Sequence, residues 1–162
     1  MAAMLRFHVP DDKDLLAAFG TVTLRHEHLN HVLRMTIKTL AALNVEEALD
    51  ATAFEGTWTL RERVKKFARQ RLGEGTALLK LQALVERCRR VTDQRNSFVH
   101  SVWAEELDGP ALRRDEQNRW VPIPSTSDLA KLADDILAVT TELNDARLMG
   151  FLAEALAKRS TQ

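Results

Sequence analysis

The chain has 162 residues, of which 45% are hydrophobic and 28% charged, and its 23 basic side chains are balanced by 23 acidic ones. These values predict a single globular domain over residues 1–162 and exclude a disordered chain, while the lack of any apolar run near ~20 residues argues against membrane insertion. Residues 1–10 are too short and polar for a secretory signal, and Cys88 has no second cysteine to pair with, so we expect a location in the reducing cytoplasm.

The first part of the chain is predicted to form long helices. Asp11 and Asp12 are candidate N-caps of a first helix, in which apolar positions recur at spacings of three and four over roughly eight turns. This stripe consists of Leu15, Phe19, Val22, His26, Leu29, Leu33, Ile37 and Leu40. A short helix over residues 46–54 and a basic helix over residues 58–72 follow, and a second long helix begins near Thr76.

The pattern changes after the second long helix. Asp108-Gly109 is a hairpin-type turn signal, and the segments 101–107 and 111–114 are predicted to pair as short strands, with 120–121 as an extension. Candidate N-caps at 125–128 then begin a last helix that is predicted to reach Leu156. The predicted fold is all-α, an antiparallel bundle of four to five helices with a small β-hairpin excursion before the last helix.

Positive charge is concentrated in the middle of the chain. Residues 61–95 contain eleven Arg or Lys side chains against four Asp or Glu, although the whole chain is neutral. Such a segment suits contact with phosphate groups. It is also typical of solvated helix faces that pair with acidic helices nearby, and charge alone favours this second interpretation.

Arg95 occupies an unexpected position in the second long helix. The inward stripe of this helix is predicted to be Leu81, Leu84, Cys88, Val91, Arg95, Phe98 and Val102. A guanidinium that faces a core must be paired or must serve a ligand, because burying an unpaired charge is costly. We therefore expect either an internal ion pair, for example with Glu27 of the first helix, or a position in a cleft that solvent can reach.

The opposite face of the same helix carries Asp93, Asn96, Ser97 and His100, whose spacing places them on one polar stripe. Plain solvent exposure would explain such a stripe. Histidine, however, titrates near pH ~6.5 and suits proton transfer, and arginine is a forked, permanently charged phosphate ligand. Together these side chains provide the groups for phosphodiester chemistry without a metal.

The sequence Arg95-Asn96 followed by His100, late in a long helix of a helical chain, resembles the HEPN superfamily (higher eukaryotes and prokaryotes nucleotide-binding domain). It fits the family's Arg-x4-6-His motif, in which Asn is a favoured second residue, and the trailing Trp103 is similar to many bacterial members. The resemblance covers one six-residue motif closely and the helical frame loosely.

The resemblance implies a metal-independent RNA endonuclease of the toxin or defence type, which needs no cofactor and acts as a homodimer with two motifs facing one cleft. Arg95 would hold the scissile phosphate, His100 would transfer a proton and Asn96 would orient one of them. Other members of the family are non-catalytic and bind nucleotides, RNA or a protein partner, such as an antitoxin. A plain helical interaction protein is a third possibility.

The motif poses a geometric problem, because Arg95 and His100 lie ~140° apart on an ideal helix. They converge only if the helix ends or bends near His100, or if a second subunit supplies one of them. Glu27, Asp93, Ser97 and Trp103 are candidate supporting or binding residues.

Three further signals suggest other sites. His28 and His31 have a spacing that can bind zinc together with Glu27, but no further ligand is evident, so we expect no metal site. Ser97 beside His100 lacks the sharp turn and the orienting acid of a serine nucleophile. Trp103 and Trp120 either stack on bases or cover the end of the core.

Overall fold

A computed structural model of the chain describes residues 5–107 and 109–161. The described part is mostly helical, as predicted, and none of its helices combines the length and apolar character needed to cross a membrane. The helices are α1 (Lys13–Ala41), α2 (Val45–Thr52), α3 (Thr57–Leu72), α4 (Thr76–Val99), α5 (Thr126–Leu148) and α6 (Phe151–Arg159). The strands are β1 (Leu5–Phe7), β2 (Trp103–Glu106), β3 (Ala111–Arg114) and β4 (Trp120–Pro122).

Local capping fixes where the helices begin. The side chain of Asp12 accepts hydrogen bonds from the backbone N–H groups of Asp14 and Leu15, which confirms one of the two predicted caps of α1. Ser125 caps α5 in a reciprocal box with Asp128. These bonds satisfy N–H groups that a helix leaves without partners in its first turn.

The core lies between four helices. Helix α1 packs against α5 and α3, and α4 packs against the same two helices, so the four enclose one apolar interior. The stripe predicted for α1 is buried at Leu29, Leu33, Ile37 and Leu40, which have no exposed surface. Each such side chain contributes about 1.5–3 kcal/mol by leaving water, so this stripe determines which face of α1 points inward.

The predicted hairpin is instead part of a four-stranded antiparallel sheet of order β1-β2-β3-β4. Strands β2 and β3 are the predicted pair, β4 lies on the predicted extension, and Asp108 of the predicted turn lies outside the described residues. The unpredicted strand is β1, because three residues are too few for a periodic signal. It is held by distant partners, since Arg6 and His8 both contact the carboxylate of Glu105, at 2.7 and 2.8 Å.

The predicted last helix is also different, because it is divided into α5 and α6 at Gly150. The N–H of Gly150 donates to the carbonyl of Asp145, and a Cβ at Gly150 would lie 3.1 Å from the Cα of Ala146. Glycine therefore permits a close backbone approach that other residues would hinder. The turn allows α6 to pack on α5, α4 and α3 and to bury Leu152.

Candidate functional site

A cleft of about 730 Å³ lies between α1, the start of α3 and the end of α4. From α4 it is lined by Asp93, Arg95, Asn96 and the adjoining His100, and α1 contributes Glu27 to the facing wall. These are five of the seven side chains that the sequence indicated as catalytic or supporting. The structure therefore brings most of the predicted site into one concave surface.

His100 is the C-cap residue of α4. The helix ends at Val99, and the N–H of His100 still donates to the carbonyl of Asn96 at 3.0 Å. Two side chains from the sheet region satisfy carbonyl groups of the last turn: the indole N–H of Trp103 donates to Phe98 at 3.0 Å, and Arg113 donates to the carbonyl of Ser97 at 3.1 Å. They replace the bonds that the next turn would have made, and the positive charge of Arg113 suits the negative end of the helix.

The side chain of Arg95 addresses the geometric problem of the motif, because its Nη1 is bonded to Asn96, which lies one turn before His100 on the same face of α4. Arg95 and His100 therefore line the same cleft within one chain, although their positions on the helix point well apart. Asn96 lies between them and is half-buried, whereas His100 is exposed. A ligand in the cleft can therefore reach a guanidinium, an amide and an imidazole together.

Arg95 is half-buried and is held by its neighbour in sequence. Its Nη1 donates to Oδ1 of Asn96 at 3.0 Å, and its buried Nε has no hydrogen-bond partner in the described structure. The expected alternative, an ion pair with Glu27, is not formed, because Glu27 instead accepts a bond from Asn30 at 3.0 Å. Of the two expectations for Arg95, the structure shows the one in which it lines an open cleft.

His26 forms part of the floor of the cleft and is 2% exposed. Its Nε2 hydrogen bonds with the hydroxyl of Thr92 at 3.1 Å, which links α1 to α4, while its Nδ1 is buried without a partner. Burial, followed by the positive charge of Arg95, lowers the pKa of His26 to about 4; Glu27 opposes this shift and Arg61 adds to it. The imidazole is therefore neutral at neutral pH and is not a second proton donor there.

Among the residues of the cleft that escaped the sequence analysis are Arg61, Trp58 and Phe54. Arg61 is only 6% exposed, whereas Trp58 and Phe54 are strongly exposed at the rim. Arg61 carries the same signal as Arg95, a charge on an apolar stripe, because it precedes the buried Val64 and Ala68 by three and seven residues. The aromatic residues gave no signal, since exposure cannot be read from residue type.

Ser97 and Trp103 are predicted site residues that do not line the cleft. The hydroxyl of Ser97 donates to the carbonyl of Gln94 at 2.7 Å. Trp103 meets the ring of Phe19 edge to face, with centroids 5.6 Å apart, and borders a separate apolar pocket of about 580 Å³. Its place is between the bundle and the sheet, as in the interpretation in which a tryptophan covers the end of the core.

The histidines of α1 do not converge on a common point. His26 is buried, whereas His28 and His31 are exposed. Over residues 5–107 and 109–161, no group of three or more His, Cys, Asp or Glu side chains is arranged to hold a metal ion. The polar groups that line the cleft include guanidinium, amide and imidazole side chains.

Comparison of the chain with protein-family models, with curated proteins and with solved structures gives no match.

Proposed function

We propose that the cleft binds a phosphodiester of RNA and that Arg95, Asn96 and His100 cleave it without a metal, in the manner of a HEPN-type endoribonuclease. Arg95 binds the non-bridging oxygens of the phosphate, which a guanidinium contacts with two parallel hydrogen bonds. Asn96 holds that guanidinium through the 3.0 Å bond between Nη1 and Oδ1. His100 transfers a proton at the reacting oxygens.

The proposed reaction uses the ribose 2′-hydroxyl as the nucleophile. The 2′-oxygen loses its proton to a base and attacks the adjacent phosphorus, the bond from phosphorus to the 5′-oxygen breaks, and that oxygen receives a proton. The products are a 2′,3′-cyclic phosphate and a 5′-hydroxyl. His100 carries one of these two protons, and a second copy of the motif in a homodimer would supply the group for the other.

The observation that carries this proposal is that the guanidinium of Arg95 reaches the cleft that His100 lines. Its Nη1 is bonded to Oδ1 of Asn96, one turn before His100, so the half-buried guanidinium and the exposed imidazole line the same cleft. Without this bend of the side chain, their positions on the helix would point the two groups apart. If Arg95 and His100 served only packing, they would not need to line a cleft that solvent reaches.

The proposal extends to the cellular setting. We propose a cytoplasmic protein of the toxin or defence type, because its only cysteine, Cys88, is a buried free thiol and the motif resembles that family. RNA is the proposed substrate, and an antitoxin or another protein is a further partner to test. A gene that encodes an antitoxin-like nucleotidyltransferase beside this one would support the toxin assignment.

The decisive experiment tests whether the 2′-hydroxyl is the nucleophile and whether cleavage needs a metal. The purified chain is incubated with a varied pool of RNA in excess chelator. DNA of the same sequences is the matched control. We expect cleavage of RNA alone, with cyclic phosphate ends, and complete protection by one 2′-deoxy substitution at the scissile position. Cleavage of the 2′-deoxy substrate, or cleavage that chelator abolishes, would contradict the mechanism.

A non-catalytic binding module is the second candidate, and the rim of the cleft favours it. Trp58 is 68% exposed and Phe54 is also fully open to solvent, as expected of residues that stack on bases. If the protein binds RNA through this rim but leaves every RNA in the pool intact, the cleft serves recognition and the cleavage proposal is wrong.

A further inference from the structure

The floor of the cleft contains a second arginine that the Arg95 to His100 motif does not include. Arg61 of α3 is 6% exposed, and its Nε is buried without a hydrogen-bond partner. Its guanidinium forms no ion pair with any carboxylate of the described structure. Burying an uncompensated cation is costly, so an arginine at this buried position points to a ligand that compensates its charge.

Two of the three carboxylates that line the cleft pair with arginines outside it. Glu55 pairs with Arg63 at 2.7 Å, and Asp93 pairs with Arg89 at 2.6 Å; neither arginine lines the cleft. The remaining carboxylate, Glu27, accepts from an amide. Neither Arg61 nor Arg95 forms an ion pair with any of these three carboxylates.

The amino-terminal end of α3 opens into the same floor. Gly56 is the N-cap and provides no capping side chain, and the first turn of this 16-residue helix contains no acidic residue. Gly56, Thr57 and Trp58 all line the cleft. Free N–H groups and the positive end of the helix dipole attract an anion at such a position.

Arg61 and Arg95 act on one region of the floor. The imidazole of His26 lies between the two helices that carry them, and the charges of both arginines lower its pKa. The two guanidinium groups, the end of α3 and a neutral imidazole are thus gathered at one place.

We propose that Arg61, Arg95 and the amino-terminal turn of α3 form a single anion site that takes a phosphate group. The inference rests on the proposed function for the identity of the ligand, an RNA phosphodiester, but the site itself is defined by charge and burial. Attack by the 2′-oxygen raises the charge on the phosphate from one negative charge to two at the phosphorane. Two guanidinium groups match this doubled charge, so Arg61 binds the transition state more strongly than the substrate.

The test measures anion binding without RNA. Thermal unfolding is followed in inorganic phosphate and in chloride at matched ionic strength, for the wild type, Arg61→Met and the control Arg69→Met, which removes an exposed arginine from the same helix. We expect phosphate to raise the Tm of the wild type and the control. In Arg61→Met the Tm in chloride should rise by a few degrees, because an unpaired buried charge becomes an apolar side chain. Its affinity for phosphate should fall about tenfold or more.

A lower Tm for Arg61→Met in chloride, with the phosphate response retained, would show that Arg61 is structural and would overturn the inference. Should that variant fail to fold, Arg61→Lys keeps the charge but loses the forked geometry, and it must still weaken phosphate binding. An equal phosphate response in Arg61→Lys and the wild type would then reject the site.

The outcome for the anion site is separable from that for catalysis. His31→Ala should bind phosphate and act on RNA as the wild type does, because this exposed imidazole of α1 does not line the cleft. Phosphate binding that depends on Arg61 in a protein that leaves RNA uncut would support the site and reject the cleavage proposal. RNA cleavage that depends on His100 but is unchanged in Arg61→Met would support cleavage and reject the anion site.

Discussion

The guanidinium of Arg95 donates from Nη1 to Oδ1 of Asn96, the next residue in the chain, at 3.0 Å. Consecutive side chains on a helix point about 100° apart, so this bond draws the arginine from the apolar stripe of α4 across to the cleft. The acceptor is a neutral amide. Asn96 therefore orients the guanidinium while leaving its positive charge available to a ligand.

A negatively charged acceptor in place of Asn96 should weaken RNA binding at the cleft. In Asn96→Asp a carboxylate would pair with Arg95 and cancel the charge that binds phosphate, so we expect RNA affinity to fall about tenfold or more while the Tm stays equal or rises. Asn96→Ala is the control, because it removes the bond but keeps the free cation. Titration of labelled RNA and thermal unfolding give the two readouts. Equal RNA affinity in Asn96→Asp and the wild type would show that Arg95 does not bind the substrate.

His100→Ala should separate catalysis from folding. The side chain is exposed at the end of α4, so we expect an unchanged Tm and a loss of RNA cleavage by about two to four orders of magnitude, the usual scale of proton-transfer catalysis. His31→Ala is the matched control, because it removes an exposed histidine of α1 that does not line the cleft. Cleavage rates and circular dichroism check both variants. Cutting that persists in His100→Ala would assign it to another site or a contaminant.

Burial of His26 should make the protein sensitive to mild acid. Its pKa in the folded chain is about 4, below its ordinary value of 6.5, so the unfolded state binds more protons between these two pH values. The free energy of unfolding therefore falls as the pH drops through this window, by a total of about 3 kcal/mol. Urea denaturation at a series of pH values measures this loss. In His26→Gln the loss should be smaller by that amount, and an equal loss in both proteins would contradict the assignment.

Trp58 should contribute to binding of single-stranded RNA. It stands 68% exposed at the rim of the cleft, and stacking of a base on an aromatic ring contributes about 1–3 kcal/mol. We expect Trp58→Ala to weaken binding by this amount and RNA to quench the tryptophan fluorescence of the wild type. Leu79→Ala, which removes an exposed apolar side chain of α4 outside the cleft, is the control. If Leu79→Ala weakens binding as much as Trp58→Ala, the rim does not recognise bases.

The proposed mechanism requires a homodimer in which two copies of the motif face each other. Arg95 and His100 already share one cleft in a single chain, but that cleft contains only one exposed histidine for two proton transfers. Analytical ultracentrifugation at micromolar concentration should therefore show a dimer of twice the 18.3 kDa chain mass. A strict monomer that still cleaves RNA would reject the shared cleft.

The helical frame was readable from the sequence because its determinants are local. The apolar stripe of α1 follows the helical period, and Asp12 and Ser125 are residues that cap helices by bonding to their own first turn. The same periodicity showed that Arg95 lies on an apolar stripe. Arg61 lies on one as well, so that signal was present at both positions.

Only the tertiary structure decided how the ends of the elements are joined. Strand β1 exists because Leu5–Phe7 pairs with residues about a hundred positions away, and Gly150 turns the chain where a second helix can pack. The composition of the cleft is of the same kind. Arg61 and Trp58 join Arg95 there because α3 packs beside α1 and α4, and no period within one segment encodes a meeting between three helices. The sequence by itself determined which side chains were costly to bury, and packing between helices decided which of them face one another.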